Sequence, residues 1–432
     1  MRFKFYIIIV LLFPVSLKAQ QTYPLSLDEL FERGTENSLR IKASHIQEIV
    51  AGEKEKTART SRLPEIHLNA TTGYIGQPTI FSSGLSHPVH PDVPDWSHNY
   101  NVELTQPIYK GGKIEHSIRK AALERQIAEL SSTNSIADIK LLLLRQYIDL
   151  FTLYKQQEVL ARNIEESKVR LKDIQRMRKE GIVTRNDEIR SELQLTNDEL
   201  AYREAKDNVY IVSQQLDVVL GLDENLLLVP DTTLLRMPMQ LQSCNAYIEQ
   251  AYENYPEIKL ARYHTQLAIT DKRLTKADYL PVLSLHAGNT LARPISSTME
   301  DLFNNNWNVA LSLSYNLSSL YQNKHKMKEA QQYINLQKNA EEQMLQDIRV
   351  KVRSAYVRHN EALDRVNALL LSVEQAEENY RIVRNRYMNQ LSILTDLLDA
   401  SNIRLQEDLQ LTTARANVIY TYYELLRMCG NL

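Results

Sequence analysis

Trp307-Asn308-Val309-Ala310-Leu311-Ser312-Leu313-Ser314-Tyr315-Asn316-Leu317 is the stretch on which the fold turns. Its odd positions carry large apolar or aromatic side chains, and its even positions carry small or polar ones. That is the period of two expected of a strand with one apolar face. A tilted strand crosses a bilayer in about 9–11 residues, and the alternation here lasts that long. Between Ile295 and Cys429 the chain has neither Gly nor Pro, so this strand runs directly into helical sequence.

Three other stretches alternate in the same way. Ile66, Leu68, Ala70 and Tyr74 alternate with His67, Asn69, Thr71 and Gly73. Tyr100, Val102 and Leu104 alternate with Asn101, Glu103 and Thr105. Leu283, Leu285 and Ala287 alternate with Ser284, His286 and Gly288. Tyr and Trp fall near the strand ends, where an interfacial aromatic girdle would lie. Alternation alone fits a half-buried soluble sheet equally well.

The sequence outside the strands predicts helices far longer than usual. Lys113 to Glu180 contains no Gly or Pro over 68 residues. A helix of that length is about 100 Å long at roughly 1.5 Å per residue, against a usual length of about 11–12 residues. Ile136, Ile139, Leu143, Tyr147, Leu150 and Tyr154 recur at steps of three and four, as do Ala205, Val209, Val212, Leu216 and Val219. Such spacing buries a narrow seam between neighbouring helices. The seam breaks at Glu180-Gly181-Ile182-Val183 and again at Asn389-Gln390-Leu391-Ser392, which are read as two hairpin tips.

The chain is duplicated. Residues 30–68 align without a gap on 247–285 at an offset of 217, pairing Glu32 with Glu249, Asn37 with Asn254, Leu63 with Leu280 and Pro64 with Pro281. Asn101, Val102 and Leu104 match Asn308, Val309 and Leu311 at an offset of 207. Asp187, Leu200, Ala205, Asn208 and Gly221 match Asp396, Leu409, Ala414, Asn417 and Gly430 at an offset of 209. Each copy therefore reads helix, strand, loop, strand, long helix, turn, long helix. The expected boundaries are 1–19 for a signal peptide, 20–221 for the first repeat, 222–243 for a linker and 244–432 for the second repeat. Strands are expected at about 65–74, 99–108, 282–291 and 306–317. Long helices are expected at about 113–180, 187–220, 323–389 and 395–429.

Arg2 and Lys4, the apolar run Phe5 to Val15 and the small residue Ala19 form a secretory signal with its cut expected between Ala19 and Gln20. No later segment has 18 consecutive apolar residues, so a membrane crossing has to be made by strands. Four strands cannot close a membrane barrel, since about eight are needed. Other copies of the chain must therefore complete it, and two chains or three satisfy this requirement. With 51 basic against 53 acidic residues, the chain carries no nucleic-acid footprint. Cys244 and Cys429 are the two cysteines, and both a disulfide and two separate thiols remain open.

The sequence predicts no catalytic site, cofactor or metal. Gly111-Gly112-Lys113 lacks the upstream Gly of a phosphate loop and has Ile114 in place of its Ser or Thr. His87, His90 and His98, with Asp92 and Asp95, are irregularly spaced in a loop and read as a solvated surface. Asp396 and Asp399 lie at i and i+3 just after the second tip, on one helix face. By position alone they fit an acidic first turn favoured by the helix dipole.

Taken together, the signal, the duplication and several motifs resemble the TolC family of outer-membrane efflux proteins. The motifs are Arg62-Leu63-Pro64 and Tyr279-Leu280-Pro281 before strands, Gln106-Pro107-Ile108-Tyr109-Lys110-Gly111-Gly112-Lys113 where a strand passes into a helix, and Glu180-Gly181-Ile182 followed by Asp187. The resemblance covers nearly the whole chain after the signal. It implies a mainly α fold with a membrane β-barrel, built as a homotrimer with twelve strands in the outer membrane and a periplasmic α-helical tunnel. The implied function is the passive exit duct of a tripartite efflux or type I secretion system, working with a periplasmic adaptor and an inner-membrane pump.

In the same way, the resemblance implies a channel constriction at Asp396 and Asp399 and gate contacts by Tyr387 and Asp187. Docking tips are implied at Gly181, Ile182, Gln390 and Leu391, and strand-to-helix transitions at Pro64, Pro281, Pro107, Gly111 and Gly112. Three positions depart from the family pattern: Ser318-Ser319-Leu320 replaces the Pro…Gly-Gly transition, Gln390 replaces a frequent Gly, and Ser392 replaces a basic gate residue. Two rival readings are a periplasmic adaptor, which would show one hairpin flanked by small β-domains, and a secreted coiled-coil rod, which would need no amphipathic strands.

Overall fold

The structure is a computed structural model that describes residues 22–231, 241–295 and 300–432. The expected cleavage point and residues 232–240 of the expected linker lie outside the described residues. The chain divides into two compact units.

The first unit takes the described residues up to Lys42, Ser135–Tyr255 and Ile348–Leu432. Two four-residue strands that sequence reading left unassigned, β1 (Thr22–Leu25) and β6 (Leu227–Pro230), pair in parallel here. Tyr147, fully buried, fastens both. Its hydroxyl donates to the Leu25 carbonyl at 2.8 Å and accepts from the Asp231 amide at 2.8 Å. Helix α1 (Leu27–Asn37) opens with Ser26 as N-cap and packs Leu30 into the same core. Leu143, Leu144 and Leu150 of α3 (Lys113–Lys179) join Leu216 and Leu220 of α4 (Arg185–Leu220) there. Each such side chain contributes about 1.5–3 kcal/mol by leaving water. Gly34 is required by this packing, because a Cβ there would stand 2.2 Å from Leu143 Cδ1.

One residue opposes that core. Asp217 of α4 is fully buried, and neither carboxylate oxygen has a hydrogen-bond partner. Burial, followed by the charges of Asp223 and Glu224, pushes its pKa from 3.8 up to about 6. The folded state thus holds the proton more tightly than the unfolded one. Its stabilising effect is complete below the unfolded pKa and is lost as pH rises to about 6. Asp217→Asn is therefore expected to raise the melting temperature at neutral pH and to flatten its dependence between about pH 4 and 6. A two-unit shift corresponds to at most about 3 kcal/mol. Melting curves across that range check it, and an unchanged slope overturns it.

Helix α5 (Cys244–Asn254) packs Tyr247, Ile248 and Ala251 inward. Both cysteines are free thiols. Cys429 is buried, and burial with the Cys244 thiol nearby pushes its pKa up to about 12, which leaves it unreactive. The unit also holds α8 (Leu394–Met428) and the C-terminal part of α7 (Ser319–Met388).

The second unit takes Ala43–Asn134 and Pro256–Asp347. Strands β2 (Glu65–Tyr74), β5 (Trp96–Lys110), β7 (Val282–Arg293) and β8 (Asn304–Ser314) form one antiparallel sheet in the order β2-β5-β7-β8. A small hairpin, β3 (Ile80–Ser83) with β4 (Ser86–Val89), interrupts the loop between β2 and β5. Helices α2 (Leu39–Thr60) and α6 (Pro256–Ala277) lead into the sheet from the two repeats. The duplication is visible in the elements themselves: α5 and α6 begin and end 217 residues after α1 and α2. No helix among the described residues is long and apolar enough to cross a membrane.

Candidate functional site: an amphipathic sheet and two hairpin tips

The register separates the sheet into an apolar and a polar face. Ile66 pairs with Leu104, Leu104 with Ala287 and Ala287 with Val309. The next rung on that face runs from Leu68 through Val102 and Asn289 to Trp307. On the other face Asn69 pairs with Asn101, Asn101 with Thr290 and Thr290 with Asn306. Directly paired residues share a face and alternate residues change it. The apolar face is bare, with Leu68 75 % and Leu311 64 % exposed.

Aromatic rings bound that face at both ends. At the loop end the Tyr74 ring meets Trp96 edge-on at 5.9 Å, and His98 is stacked on Trp96 at 6.4 Å and on Tyr100 at 6.3 Å. At the helix end stand the exposed rings of Tyr109 and Tyr315. The loop histidines do not converge: His90 Nδ1 meets the Thr79 hydroxyl at 3.3 Å, and His87 turns the β3–β4 hairpin with φ 56°.

Both outer strands, β2 and β8, have one unpaired edge. Such an edge exposes a row of backbone donors and acceptors. In lipid each unsatisfied group costs several kcal/mol.

Each strand joins its helix through the residues singled out in the sequence. Pro64 and Pro281 stand immediately before β2 and β7, where their missing N–H deprives the sheet of no bond. Pro107 lies at the register shift of β5 against β7. Gly111 and Gly112 turn the chain into α3 with φ 62° and 79°. A Cβ on Gly111 would sit 2.6 Å from the Ala277 carbonyl oxygen, so backbone geometry and space both require glycine. The second repeat enters its helix differently, with neither glycine nor a left-handed residue. Asn316 Oδ1 accepts from the Ser318 amide at 3.1 Å, the Ser319 hydroxyl donates to the Asn316 carbonyl at 2.6 Å, and α7 begins at Ser319.

The hairpin tips belong to the first unit. Gly181 and Gln390 both take the left-handed conformation, with φ 77° and 61°. The amide after each one reaches back to the helix, Ile182 to Met177 at 2.9 Å and Leu391 to Arg386 at 2.8 Å. The Gln390 turn is thus the same turn as the Gly181 turn, made at a strain of about 1–2 kcal/mol by a residue with a Cβ. Ile182, Leu391 and Ile393 stand exposed beside the turns.

Asp187 and Asp396 occupy equivalent places in the first turns of α4 and α8. Asp187 accepts from the Thr184 amide at 2.9 Å and the Thr184 hydroxyl at 2.7 Å, and Asp396 accepts from the Ile393 amide at 3.4 Å. Leu394, Leu397 and Ala400 face inward, which leaves Asp396 and Asp399 together on the exposed face of α8. The Tyr387 ring is buried in a cluster with Ile174, Met177, Tyr380 and Leu394, and its hydroxyl has no hydrogen-bond partner. Burial, and then the charge of Asp187, raises the pKa of that phenol. Within one chain the two residues are therefore near each other without being bonded.

Sequence reading did not anticipate the arginines behind the tips. Glu188, buried, is held by both Arg178 and Arg185. Arg190 donates to the Thr395 hydroxyl at 2.7 Å. Arg404 of α8 lies 4.2 Å over the Tyr380 ring and bonds Glu166 of α3 and Glu377 of α7, so one side chain ties three helices together. The density of Arg and Lys in 176–190 was the available signal, but the pairings of Arg190 with Thr395 and of Arg404 with Glu166 span the two repeats and were not legible.

Residues 247–431 match the model of the outer membrane efflux protein family. The match covers the second repeat, rather less than half of the chain. Among solved structures, the outer membrane protein VceC from Vibrio cholerae is similar at 16% identity and a TM-score of 0.76, over 94% of this chain and 96% of VceC. The MtrE outer membrane channel of Neisseria gonorrhoeae, solved in its open state, is similar at 16% identity and a TM-score of 0.71, over 94% of this chain and 89% of MtrE. The CmeC outer membrane channel of Campylobacter jejuni is similar at 14% identity and a TM-score of 0.74, over 94% of this chain and 85% of CmeC. At these identities the likeness is one of fold. No curated protein matches the chain by sequence.

Proposed function

We propose that the chain is one subunit of a passive outer-membrane exit duct. Three copies join β8 of one to β2 of the next and close a twelve-stranded barrel in the outer membrane. The long helical hairpins extend into the periplasm as a tunnel whose tips meet a periplasmic adaptor and, through it, an inner-membrane pump. Asp396 and Asp399 line the constriction, and Tyr387 with Asp187 holds the tip closed. The duct catalyses no reaction and needs no cofactor. Energy for export comes from the pump.

The observation that carries this reading is the four-stranded sheet with a bare apolar face, a polar face and two unpaired edges. In water such a sheet exposes a large apolar patch. In a closed trimer the apolar face meets lipid, the polar face lines the lumen and every edge is paired. An adaptor would need only one hairpin, and a rod would need no sheet.

Cysteine pairs across the β2 and β8 edges test it, in a chain carrying Cys244→Ser and Cys429→Ser. With Asn69→Cys on β2 and a scan of single cysteines along β8, oxidation of outer-membrane fractions is expected to give covalent trimers. Soluble periplasmic monomer with no cross-linked ladder overturns the reading.

A further inference from the structure

We infer that the hairpin tips form a basic collar that docks a helical-hairpin end bearing carboxylates; the inference rests on the adaptor reading above and names the chemistry of that partner. The chain as a whole has a formal net charge of −2, so any strong local charge is a placement and not a bulk property. Residues 176–190 hold five basic and three acidic residues, and residues 384–399 hold two basic and two acidic. The tips thus carry a net positive charge that the rest of the chain reverses.

Three of the five acids at the tips are engaged within the tips themselves, while Glu180 and Asp399 are exposed. Asp187 and Asp396 cap their helices, and Glu188 is buried between Arg178 and Arg185. The cations are exposed: Lys179 and Arg384, together with Arg178 and Arg185 beside the Glu188 that they share. Among them stand three apolar knobs, Ile182, Leu391 and Ile393, exposed by 42, 67 and 66 %. Apolar knobs ringed by one sign of charge suit a partner with a small apolar socket rimmed by the opposite sign.

Two other occupants fit less well. A second copy of the chain would bring like charges together, which disfavours the contact. An anionic lipid surface would suit the charge, but lipid insertion needs a continuous apolar helix face, and here three knobs project from two rigid turns. The turns are the same turn at Gly181 and Gln390, so a trimer offers six equivalent docking points at a defined spacing. A protein hairpin can match that spacing.

The test uses full-length trimers purified in detergent and two designed antiparallel helical-hairpin peptides that differ only in whether the turn carries Glu or Lys. Vesicles of phosphatidylglycerol serve as the lipid probe. The acidic hairpin is expected to bind at least about tenfold more tightly than the basic one, and to lose that advantage at high salt, where screening falls within a few ångströms. Lys179→Glu with Arg384→Glu is expected to reverse the preference. If that variant fails to assemble, Lys179→Gln with Arg384→Gln is expected to abolish the preference while trimers persist.

Gly181→Trp with Gln390→Trp separates this inference from the reading beneath it. Equal binding of both hairpins that the Trp variant abolishes leaves tip docking standing and overturns the acidic preference. Binding of neither hairpin, or binding of the vesicles alone, overturns the inference. Equal binding that survives the Trp variant overturns tip docking as well.

Discussion

Leu311→Arg is expected to reduce outer-membrane trimers to a small fraction of the parent yield, whereas Ser312→Arg leaves most of them intact. Leu311 sits midway between Trp307 and Tyr315 on β8 and pairs with Leu285 on the apolar face. In the proposed closed barrel that position would meet the centre of the lipid. An arginine at the bilayer midplane costs about 2–4 kcal/mol, and threefold symmetry applies the cost three times to one assembly. Ser312 pairs with Ser284 on the polar face, where an arginine reaches the water of the lumen. Trimer yield on unheated and heated gels of outer-membrane fractions reads the contrast. Equal yields from the two variants overturn the assignment of faces, and with it the reading of the sheet as a third of a barrel wall.

The strands and long helices were legible because each is a long, uninterrupted period. The Trp307–Leu317 alternation covers most of β8, and the run free of Gly and Pro after Gly112 is α3. The duplication was equally legible, since α1 and α5 share an offset that residue identities alone revealed. What escaped the sequence was short or non-local. Strands β1 and β6 have four residues each and are held by Tyr147, which is distant from both in sequence. The hairpin of β3 and β4 contains Pro88, which argues against a strand until it is seen in a two-stranded ribbon at a free edge.

The two tips and the two helix starts teach a different lesson. Gln390 departs from Gly181 in identity, yet the backbone makes the same left-handed turn in both copies, whereas at Ser318 and Ser319 no left-handed residue occurs and the chain enters α7 by another route. A left-handed turn costs a Gln about 1–2 kcal/mol, a sum that a buried cluster around Tyr387 and Leu394 can offset. At the helix start, a side-chain amide and a hydroxyl make the bonds that cap α7 where paired glycines turn the chain in the first copy. Reading such positions residue by residue underestimates how firmly the surrounding helices fix the turn. The tip charges are the converse case, since their sign was in the sequence but their outward display depended on which acids the helix ends engage.

Asp396→Asn with Asp399→Asn is expected to remove block of the channel by multivalent cations without changing trimer yield. The two carboxylates lie one turn apart on the exposed face of α8, while Leu394, Leu397 and Ala400 anchor the opposite face. In the proposed trimer, three chains around one axis would bring them into two rings of three, six carboxylates in a short length of tunnel. Rings of acidic side chains concentrate cations, and a trivalent cation gains most because it meets several carboxylates at once. The expected block by hexamminecobalt in planar bilayers is strong for the parent channel and weakened at least about tenfold for the double variant. Asparagine keeps the shape of each side chain and leaves an oxygen at position 396 to accept from the Ile393 amide, so α8 retains its first turn. Preserved trimers therefore separate a loss of charge from a loss of structure. Block that survives the double substitution returns Asp396 and Asp399 to the ordinary role of acidic residues at a helix N-terminus, where they favour the dipole and face water outside the path of export.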